Sequence, residues 1–377
     1  MKRSYKIFFW CLMLLLSGCI TPFIPETEEP QSLIVIEGLI TDQPEVNTIK
    51  LSRSIPLGLK TKITPLTKCT VWITDDMGSS SSLTESKPGV YVTSPSNFRG
   101  IVGRKYSLHV NTNNSYINHY SFSSVPVEMK PVPDIDSIYY EKMRIPQRGS
   151  FAFAPDGCQI YLDTHDATGK CRLFRWDFTE TWEIHIPFYI PVNRVCWVTE
   201  NSDAINIKST SAISEDIIKK FPIRFISNES DRLRVKYSIL LNQYSLSTEE
   251  FAYWDKLKAV TQEVGSLYDI TPASIPNNLF CEQDPSVEVL GYFSVSARKS
   301  KRIFINDNFF GQFDAYADCI ADTLPGTKPD IIGLNSSTWI LDINFGPEPP
   351  PYTTITYFKG CADCTVRGTK VKPDFWK

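Results

Sequence analysis

The sequence of 377 residues predicts a mainly β protein. Short runs of alternating apolar and polar residues recur from residue 33 almost to the end of the chain, and this alternation is typical of strands that bury one face. Gly, Pro, Asn and Asp separate the runs, as they do where strands are joined by tight turns. A clear helical pattern occupies one stretch, so we expect one or two helices among the strands.

The first 18 residues predict a signal peptide. Lys2, Arg3 and Lys6 form a basic start, and the apolar run that follows, residues 7–16, is too short to span a bilayer as a helix. The letters LSGC that end at Cys19 are similar to the bacterial lipobox, in which small residues admit a peptidase and the Cys thiol accepts a diacylglyceryl group. We therefore expect removal of residues 1–18 and lipidation of Cys19.

A lipidated tether is predicted over residues 19–32. The letters TPFIPETEEPQ combine Pro and Glu without periodicity, which is typical of an extended linker. A lipoprotein of this kind carries several acyl chains, and more than one chain anchors a protein stably. Ile20 stands where Asp would favour retention in an inner membrane, so we expect an outer-membrane anchor.

Residues 33–130 predict an N-terminal β-sandwich domain of immunoglobulin or transthyretin type. About seven short strands in about a hundred residues, with turns at close intervals, are typical of such sandwiches. The letters TDDMGSS have the composition of a hairpin turn, and MKPVPD, residues 129–134, predicts a Pro-stiffened boundary. The strand-like runs are LIVIEGLIT, NTIKLSRSI, TKCTVWIT, GVYVTS, RKYSLHVNT and YINHYSFSSV.

Residues 131–377 predict a larger β-rich domain with a helix at about 248–264. Ser247 can cap the first turn, Glu250 at the third helical position completes a capping box, and Gly265 follows the far end. A weaker helical pattern, SEDIIKKF, runs from Ser214 to Phe221. The strand-like runs include CQIYLDTHD, CRLFRWDFTETWEIHI, RVCWVT, RLRVKYSILLNQYSLS, VEVLGYFSVSA and RIFIN.

Eight Cys remain in the predicted mature chain besides Cys19, and an even set in an oxidising envelope predicts disulfides. The CADC pair, Cys361 and Cys364, could also be half of a zinc site or a redox pair. However, the sequence offers no second CxxC or HxxxH for zinc, and no βαβ context for a redox pair. We expect both to bond to other Cys, Cys319 first and Cys281 next. The disulfide candidates are Cys171, Cys196, Cys281, Cys319, Cys361 and Cys364.

The sequence predicts neither catalysis nor a bound cofactor or metal. It contains no GxSxG, HExxH or Gly-rich phosphate loop. Asp163, His165 and Asp166 could bind calcium, but no DxDxDG loop accompanies them, and we interpret them as a solvated acidic face. The formal net charge is −3 and no block of basic residues occurs, which argues against a nucleic-acid partner.

The chain carries, in order, the lipobox, LIVIEGLIT, KCTVWITDDMG, PGVYV, GRKYSLHVNT, PVPDIDSIYY, RVKYSILLNQYSLSTEEFAYWDKL, VLGYFSVSA and CADCTVRGTKVKPDFW. This order of motifs along the whole chain resembles a Bacteroidota outer-membrane lipoprotein family of unknown function. The resemblance implies an accessory lipoprotein encoded beside a TonB-dependent receptor, and it supplies no catalytic residues. Surface export in these bacteria usually uses acidic residues directly after the lipidated Cys, whereas here ITPFIP comes first. Although the sequence departs from that export signal, we expect exposure at the cell surface rather than at the periplasmic face.

The expected function is that of a non-catalytic outer-membrane lipoprotein, a substrate-binding or other accessory component of a TonB-dependent β-barrel. One alternative is a structural subunit of an outer-membrane assembly machine, which needs an apolar flank. An envelope hydrolase is another, and it needs a deep pocket with paired carboxylates or a partnered His. The patterns around Ser137 (DSI) and Thr323 (DTL) also resemble the O-glycosylation signal of Bacteroidota, which makes both residues candidate glycosylation sites.

The lipid anchor gives the first prediction. Cys19→Ser should release the protein from the membrane fraction or leave it unprocessed, because the Cys19 thiol is the predicted lipid acceptor. Cys11→Ser is the matched control, since Cys11 lies in the predicted signal peptide and its loss should leave anchoring unchanged. Fractionation and mass spectrometry of the mature N-terminus measure both. An unmodified Cys19 in the wild-type protein would contradict lipidation.

Overall fold

The computed structural model describes residues 33–54, 64–112, 120–145, 154–188, 193–262, 275–326, 338–345, 348 and 350–377. In these ranges the protein is mainly β, as predicted, with two α-helices, α1 (Thr248–Gln262) and α2 (Lys359–Ala362). The predicted signal peptide and tether, with Cys19, lie outside them.

Strands make up nearly half of the described chain, and the first eleven end before residue 145. They are β1 (Ile34–Ile40), β2 (Thr48–Arg53), β3 (Thr64–Pro65), β4 (Thr70–Asp75), β5 (Ser80–Ser82), β6 (Thr84–Lys87), β7 (Val90–Val92), β8 (Lys105–Asn111), β9 (Ser121–Ser124), β10 (Val127–Glu128) and β11 (Ile135–Arg144). The later strands are β12 (Asp156–His165), β13 (Leu173–His185), β14 (Val195–Asn201), β15 (Asn206–Ser209), β16 (Ile217–Ile226), β17 (Lys236–Ser245), β18 (Leu279–Cys281), β19 (Val289–Val295), β20 (Arg298–Ile305), β21 (Asp322–Pro325), β22 (Trp339–Asn344) and β23 (Tyr352–Thr356).

Two six-stranded sheets share the first hydrophobic core. Sheet 1 has the order β19-β1-β2-β7-β6 with β3 beside β2, and sheet 2 has the order β18-β9-β8-β4-β5 with β10 beside β8. Alternate side chains of their strands point inward, which is the arrangement that the period-two pattern predicts. The core includes the buried residues Ile36, Ile49, Leu108, Phe122 and Phe293.

The chain returns to these two sheets after residue 278. β18 pairs with β9, and β19 pairs with β1 in parallel over seven residues, from Ile34 opposite Val289 to Ile40 opposite Val295. Strands from the second half of the chain therefore complete both sheets. The predicted division at residue 130, and the immunoglobulin or transthyretin type of the first part, stay predictions.

Two further sheets enclose a second core. Sheet 3 has the order β11-β12-β16, and sheet 4 has the order β14-β13-β17-β20 with β15 beside β13. Glu180 is 3% exposed in this region, yet its carboxylate contacts Arg232 at 3.0 Å and Arg224 at 3.3 Å and accepts a hydrogen bond from the Tyr237 hydroxyl. A buried charge needs such partners. The core includes Ile138, Ile160, Phe178, Leu241 and Ile305.

Disulfides tie the end of the chain to sheet 4 and its neighbours. Sheet 5, of order β21-β23-β22, precedes α2. Cys364 bonds to Cys196 on β14, and Cys361 on α2 bonds to Cys319, each pair with Cα atoms 5.7 Å apart. The buried Trp376 packs on Phe304 of β20.

The structure corrects one predicted element. The stretch from Ser214 to Phe221 is not helical, because β16 begins at Ile217 and pairs antiparallel with β12. Its buried positions, Ile218, Ile223 and Ile226, contribute to the second core. Pairing with a long neighbouring strand outweighs the weak helical propensity of so short a segment. The predicted helix at about 248–264 is observed as α1.

The two disulfides give a second prediction. Digestion without reductant, followed by mass spectrometry, should recover the pairs Cys196–Cys364 and Cys319–Cys361. Cys361→Ser should leave Cys319 free and make sheet 5 more sensitive to limited proteolysis, because one covalent tie to α2 is lost. Cys69→Ser is the control, since Cys69 is a half-buried free thiol. Stoichiometric zinc, or free thiols at both Cys361 and Cys364, would contradict the pairing.

Candidate functional site

A cleft of about 310 Å³ lies between the outer face of sheet 1 and the elements β13 and α1. It is at the lower end of the volume range of small-molecule sites. β1, β2 and β19 form its floor, β13 contributes one wall and α1 contributes the other. The cleft therefore brings together residues from both halves of the sequence.

The strand registers place the polar floor of the cleft. Ile36, Ile49 and Phe293 point into the first core, so the residues beside them point outward. Glu37 lies opposite Lys50 of β2 in the antiparallel register.

A second row of outward-pointing residues lies next to the Glu37–Lys50 row on the outer face of sheet 1. Leu39 has Thr48 on one side and Ser294 on the other. The floor thus presents a carboxylate, an ammonium group and two hydroxyls.

The wall from β13 carries a sandwiched cation. The Arg175 guanidinium carbon lies 4.5 Å from the ring centroids of both Tyr244 and Trp254, a distance at which cation–π attraction is effective. Its Nη2 is 3.6 Å from Asp177 Oδ2. Asp177 also accepts a hydrogen bond from Asn242 at 2.8 Å and one from the Tyr244 hydroxyl at 3.3 Å. These contacts fix both charges at the cleft wall.

The wall from α1 is aromatic. The Ser247 hydroxyl accepts a hydrogen bond from the Glu250 amide at 3.1 Å, which caps the first turn as predicted. Tyr253 then packs on Tyr292 of the floor with ring centroids 4.8 Å apart, and Trp254 packs on Tyr253 at 5.2 Å. The cap and the ring contacts together hold α1 over sheet 1.

A fully buried acid lies behind this wall. Glu250 has no exposed surface, and its Oε1 accepts a hydrogen bond from Trp254 Nε1 at 3.3 Å. Burial raises the pKa of Glu250, while hydrogen bonding from Ser294 and Trp254 and the charge of Arg175 act in the opposite direction. Glu250 therefore links the helix, the floor and the Arg175 wall.

The predicted site residues lie elsewhere in the structure. Cys171 and Cys281, two of the disulfide candidates, are buried free thiols rather than members of a disulfide. Ser137 on β11 donates a hydrogen bond to Asp163, and Thr323 is exposed on β21. Cys19 lies outside the described residues.

The three histidines that the structure describes contact polar groups away from the cleft. His165 lies 2.8 Å from Asp136, and His185 contacts Glu183 at 2.6 Å; both imidazoles are on the surface. His109 hydrogen-bonds with Thr74 and Ser123 on the outer face of sheet 2. Among the described residues, no cluster of three or more His, Cys, Asp or Glu is arranged to hold a metal ion. In the same part of the chain, no helix has the length and apolar character needed to cross a membrane.

Sequence reasoning missed every residue of the cleft as a site residue. Arg175 and Asp177 occur in the run CRLFRWDFTE, where two opposite charges two residues apart share one face of an otherwise apolar strand. The spacing of these two opposite charges is the sequence signal that could have identified Arg175 and Asp177 as site residues. The partners of these charges come from α1 and from sheet 1, which only the tertiary structure reveals.

Burial of Glu250 gives a third prediction, on pH dependence. An acid with a raised folded-state pKa destabilises the fold progressively as pH rises above its unfolded value of 4.5. Glu250→Gln should therefore become more stable relative to wild type as pH rises from 4.5 through the folded-state pKa. Unfolding monitored at several pH values measures this difference.

The neighbouring residue is the matched control. The pKa of Glu249 is lowered, chiefly by hydrogen bonding at the helix start, so the stability that it contributes is lost as pH falls below 4.5. Glu249→Gln should thus differ from wild type in the opposite direction and in a lower pH window. A stability difference for Glu250→Gln that does not change with pH would contradict the burial argument.

Comparison with known proteins places the chain in a family. A search of curated proteins found no match. A family model described as a domain of unknown function, DUF4249, matches residues 20–302. The matched region includes all the residues that line the cleft, whereas sheet 5 and three of the four disulfide cysteines come after it. Because the match covers most of the sequence, the chain belongs to the DUF4249 family.

Proposed function

We propose that the protein is a non-catalytic, lipid-anchored outer-membrane component that binds a small ligand in the cleft and works beside a TonB-dependent β-barrel. The single observation that carries the binding part is the cleft itself, where aromatic rings and paired charges converge on one concave surface. Concave sites with a few converging polar groups are typical of ligand binding.

The fixed geometry of the cleft supports binding. Arg175 is held by two rings and by Asp177, and Asp177 is held in turn by Asn242. Side chains fixed in this way lose little conformational freedom when a ligand binds, which favours affinity. The cleft is therefore organised before a ligand enters.

The lipobox at Cys19 and the family resemblance support the location and the partner. Anchoring two proteins in one membrane raises their effective concentration, so a modest interface is sufficient for a complex. A tether of about a dozen residues reaches a few tens of ångströms at about 3.3 Å per extended residue. That reach allows the folded body to contact a barrel rim beside its own anchor.

A second candidate function is that of a structural subunit of an outer-membrane assembly. The observation that favours it is the exposure of apolar side chains near the end of the chain. Phe345 is 72% exposed, Ile320 69% and Phe358 60%, and Ile320 and Phe358 are close in sequence to the two bonded cysteines Cys319 and Cys361. Exposed apolar groups of this kind can contact another protein.

Purification from native membranes tests the partner and is the fourth prediction. An affinity-tagged protein, extracted with mild detergent, should recover a TonB-dependent barrel, and deletion of that barrel should leave the lipoprotein stable. Cys19→Ser should recover much less barrel, because the shared membrane no longer concentrates the two proteins. Repeated recovery of the lipoprotein alone, together with hydrolysis of a glycan or peptide by the purified protein, would replace this proposal with the hydrolase alternative.

The same preparation separates the two candidate functions. A triple variant, Ile320→Ser, Phe345→Ser and Phe358→Ser, removes the exposed apolar side chains. Loss of the partner in this variant, with Asp177→Asn retaining it, would favour the structural subunit. Retention of the partner in the triple variant would favour the ligand-binding component.

A further inference from the structure

We infer that the cleft binds a neutral saccharide unit; this inference rests on the proposed ligand-binding function. Its first support is charge balance. Among the described residues, the cleft lining contains two carboxylates, Glu37 and Asp177, and two cations, Lys50 and Arg175. Glu37 lies opposite Lys50 in the strand register, and Arg175 is 3.6 Å from Asp177.

Balanced charges disfavour a charged ligand. A phosphate or an acidic group that paired with Arg175 would compete with Asp177 and approach its negative charge. A cationic group that paired with Asp177 would in the same way meet Arg175. Desolvation of such a ligand is compensated poorly where the opposite charge already has a partner. A ligand without net charge avoids both costs.

The polar groups of the cleft require a ligand that both donates and accepts hydrogen bonds. Glu37 and Asp177 accept, Lys50 and Arg175 donate, and the hydroxyls of Thr48 and Ser294 do either. Sugar hydroxyls are neutral and have the same dual capacity, and hydrogen bonds to charged partners are the stronger ones. The polar part of the cleft thus matches a polyhydroxylated ring.

The aromatic wall supplies the apolar part of the site. Tyr253 and Trp254 from α1 and Tyr292 from the floor line the cleft, and the half-buried Trp254 presents the most ring surface, since Tyr253 is 8% and Tyr292 5% exposed. One face of Trp254 contacts Arg175, and the ring contacts at 4.8 and 5.2 Å hold Tyr253 in place. Rigid aromatic surfaces gain energy by covering an apolar face at small entropic cost. A pyranose ring has such a face, formed by its C–H groups.

An extended peptide fits the same region less well. Peptides commonly bind by adding a strand to a free sheet edge, and β19 is the edge strand of sheet 1 beside the cleft. At that edge, the Asn278 side chain bonds both to the Phe293 amide at 2.9 Å and to the Phe293 carbonyl at 2.8 Å. Asn277 bonds to the Val289 carbonyl at 2.6 Å. These two side chains occupy three of the backbone groups of β19 with which an added peptide strand would pair.

Calorimetric titration of the full-length lipoprotein in detergent tests the inference. The probes are neutral disaccharides (maltose, cellobiose, lactose and chitobiose), glucuronic acid and the zwitterionic dipeptide Gly-Tyr, supplemented by an array of neutral and acidic glycans. We expect at least one neutral glycan to bind in a saturable manner. Asp177→Asn and Lys50→Met should each weaken that binding roughly 10- to 100-fold, because each removes a charge-assisted hydrogen bond.

Matched controls lie on the exposed face of α1. Asp255→Asn and Lys256→Met make the same chemical changes outside the cleft and should leave the affinity unchanged. Thermal unfolding of each variant identifies a change that acts through folding, and the exposed Lys50 provides a second variant if Asp177→Asn is unstable. Binding of Gly-Tyr or only of acidic glycans, no binding on the array, or glycan binding unchanged in both cleft variants would each overturn the saccharide assignment.

The proposed function has a separate readout, which is the purification from native membranes described above. A barrel recovered with a protein that binds no glycan would refute the saccharide assignment and leave the accessory role standing. A glycan that binds and is then hydrolysed would keep the saccharide assignment and refute the non-catalytic role. Mass analysis of the glycan after titration distinguishes these results.

Discussion

The parallel pairing of β1 with β19 is the interaction on which most of this structure depends. It joins the first strand of the described chain to a strand about 250 residues later, and it completes sheet 1. Both strands face the first core with one side, through Ile36 and Phe293, and form the cleft floor with the other, through Glu37 and Ser294. Loss of this pairing would therefore disrupt the core and the candidate site together.

A backbone constraint accompanies the pairing. Gly291 has φ +99°, a conformation that residues with a side chain rarely adopt, and a Cβ atom there would overlap the carbonyl oxygen of Ile36 on β1. On the other side of β19, Asn278 satisfies the amide and carbonyl of Phe293. β19 is thus held from both edges, and its outer face stays available to the cleft.

How much the sequence could predict follows from the range of the interactions involved. Local patterns gave the mainly β class and the position of α1, because alternation and capping depend on neighbouring residues. They failed at Ser214–Phe221, where pairing with β12 decides the structure, and they gave Glu250 only a capping role although its side chain is buried behind the cleft. The cleft itself combines β1, β13, α1 and β19, and no local pattern encodes that association.

The most direct test of this account is the effect of Gly291→Ala on unfolding and on glycan titration, compared with Gly78→Ala. Both glycines have positive φ, but a Cβ at Gly78 would meet open space. Gly78→Ala should cost only the local conformational strain, about 1–2 kcal/mol. Gly291→Ala should cost clearly more, because β19 must move away from β1, and should abolish binding in the cleft. Equal stabilities for the two variants would contradict the central role of the β1–β19 pairing.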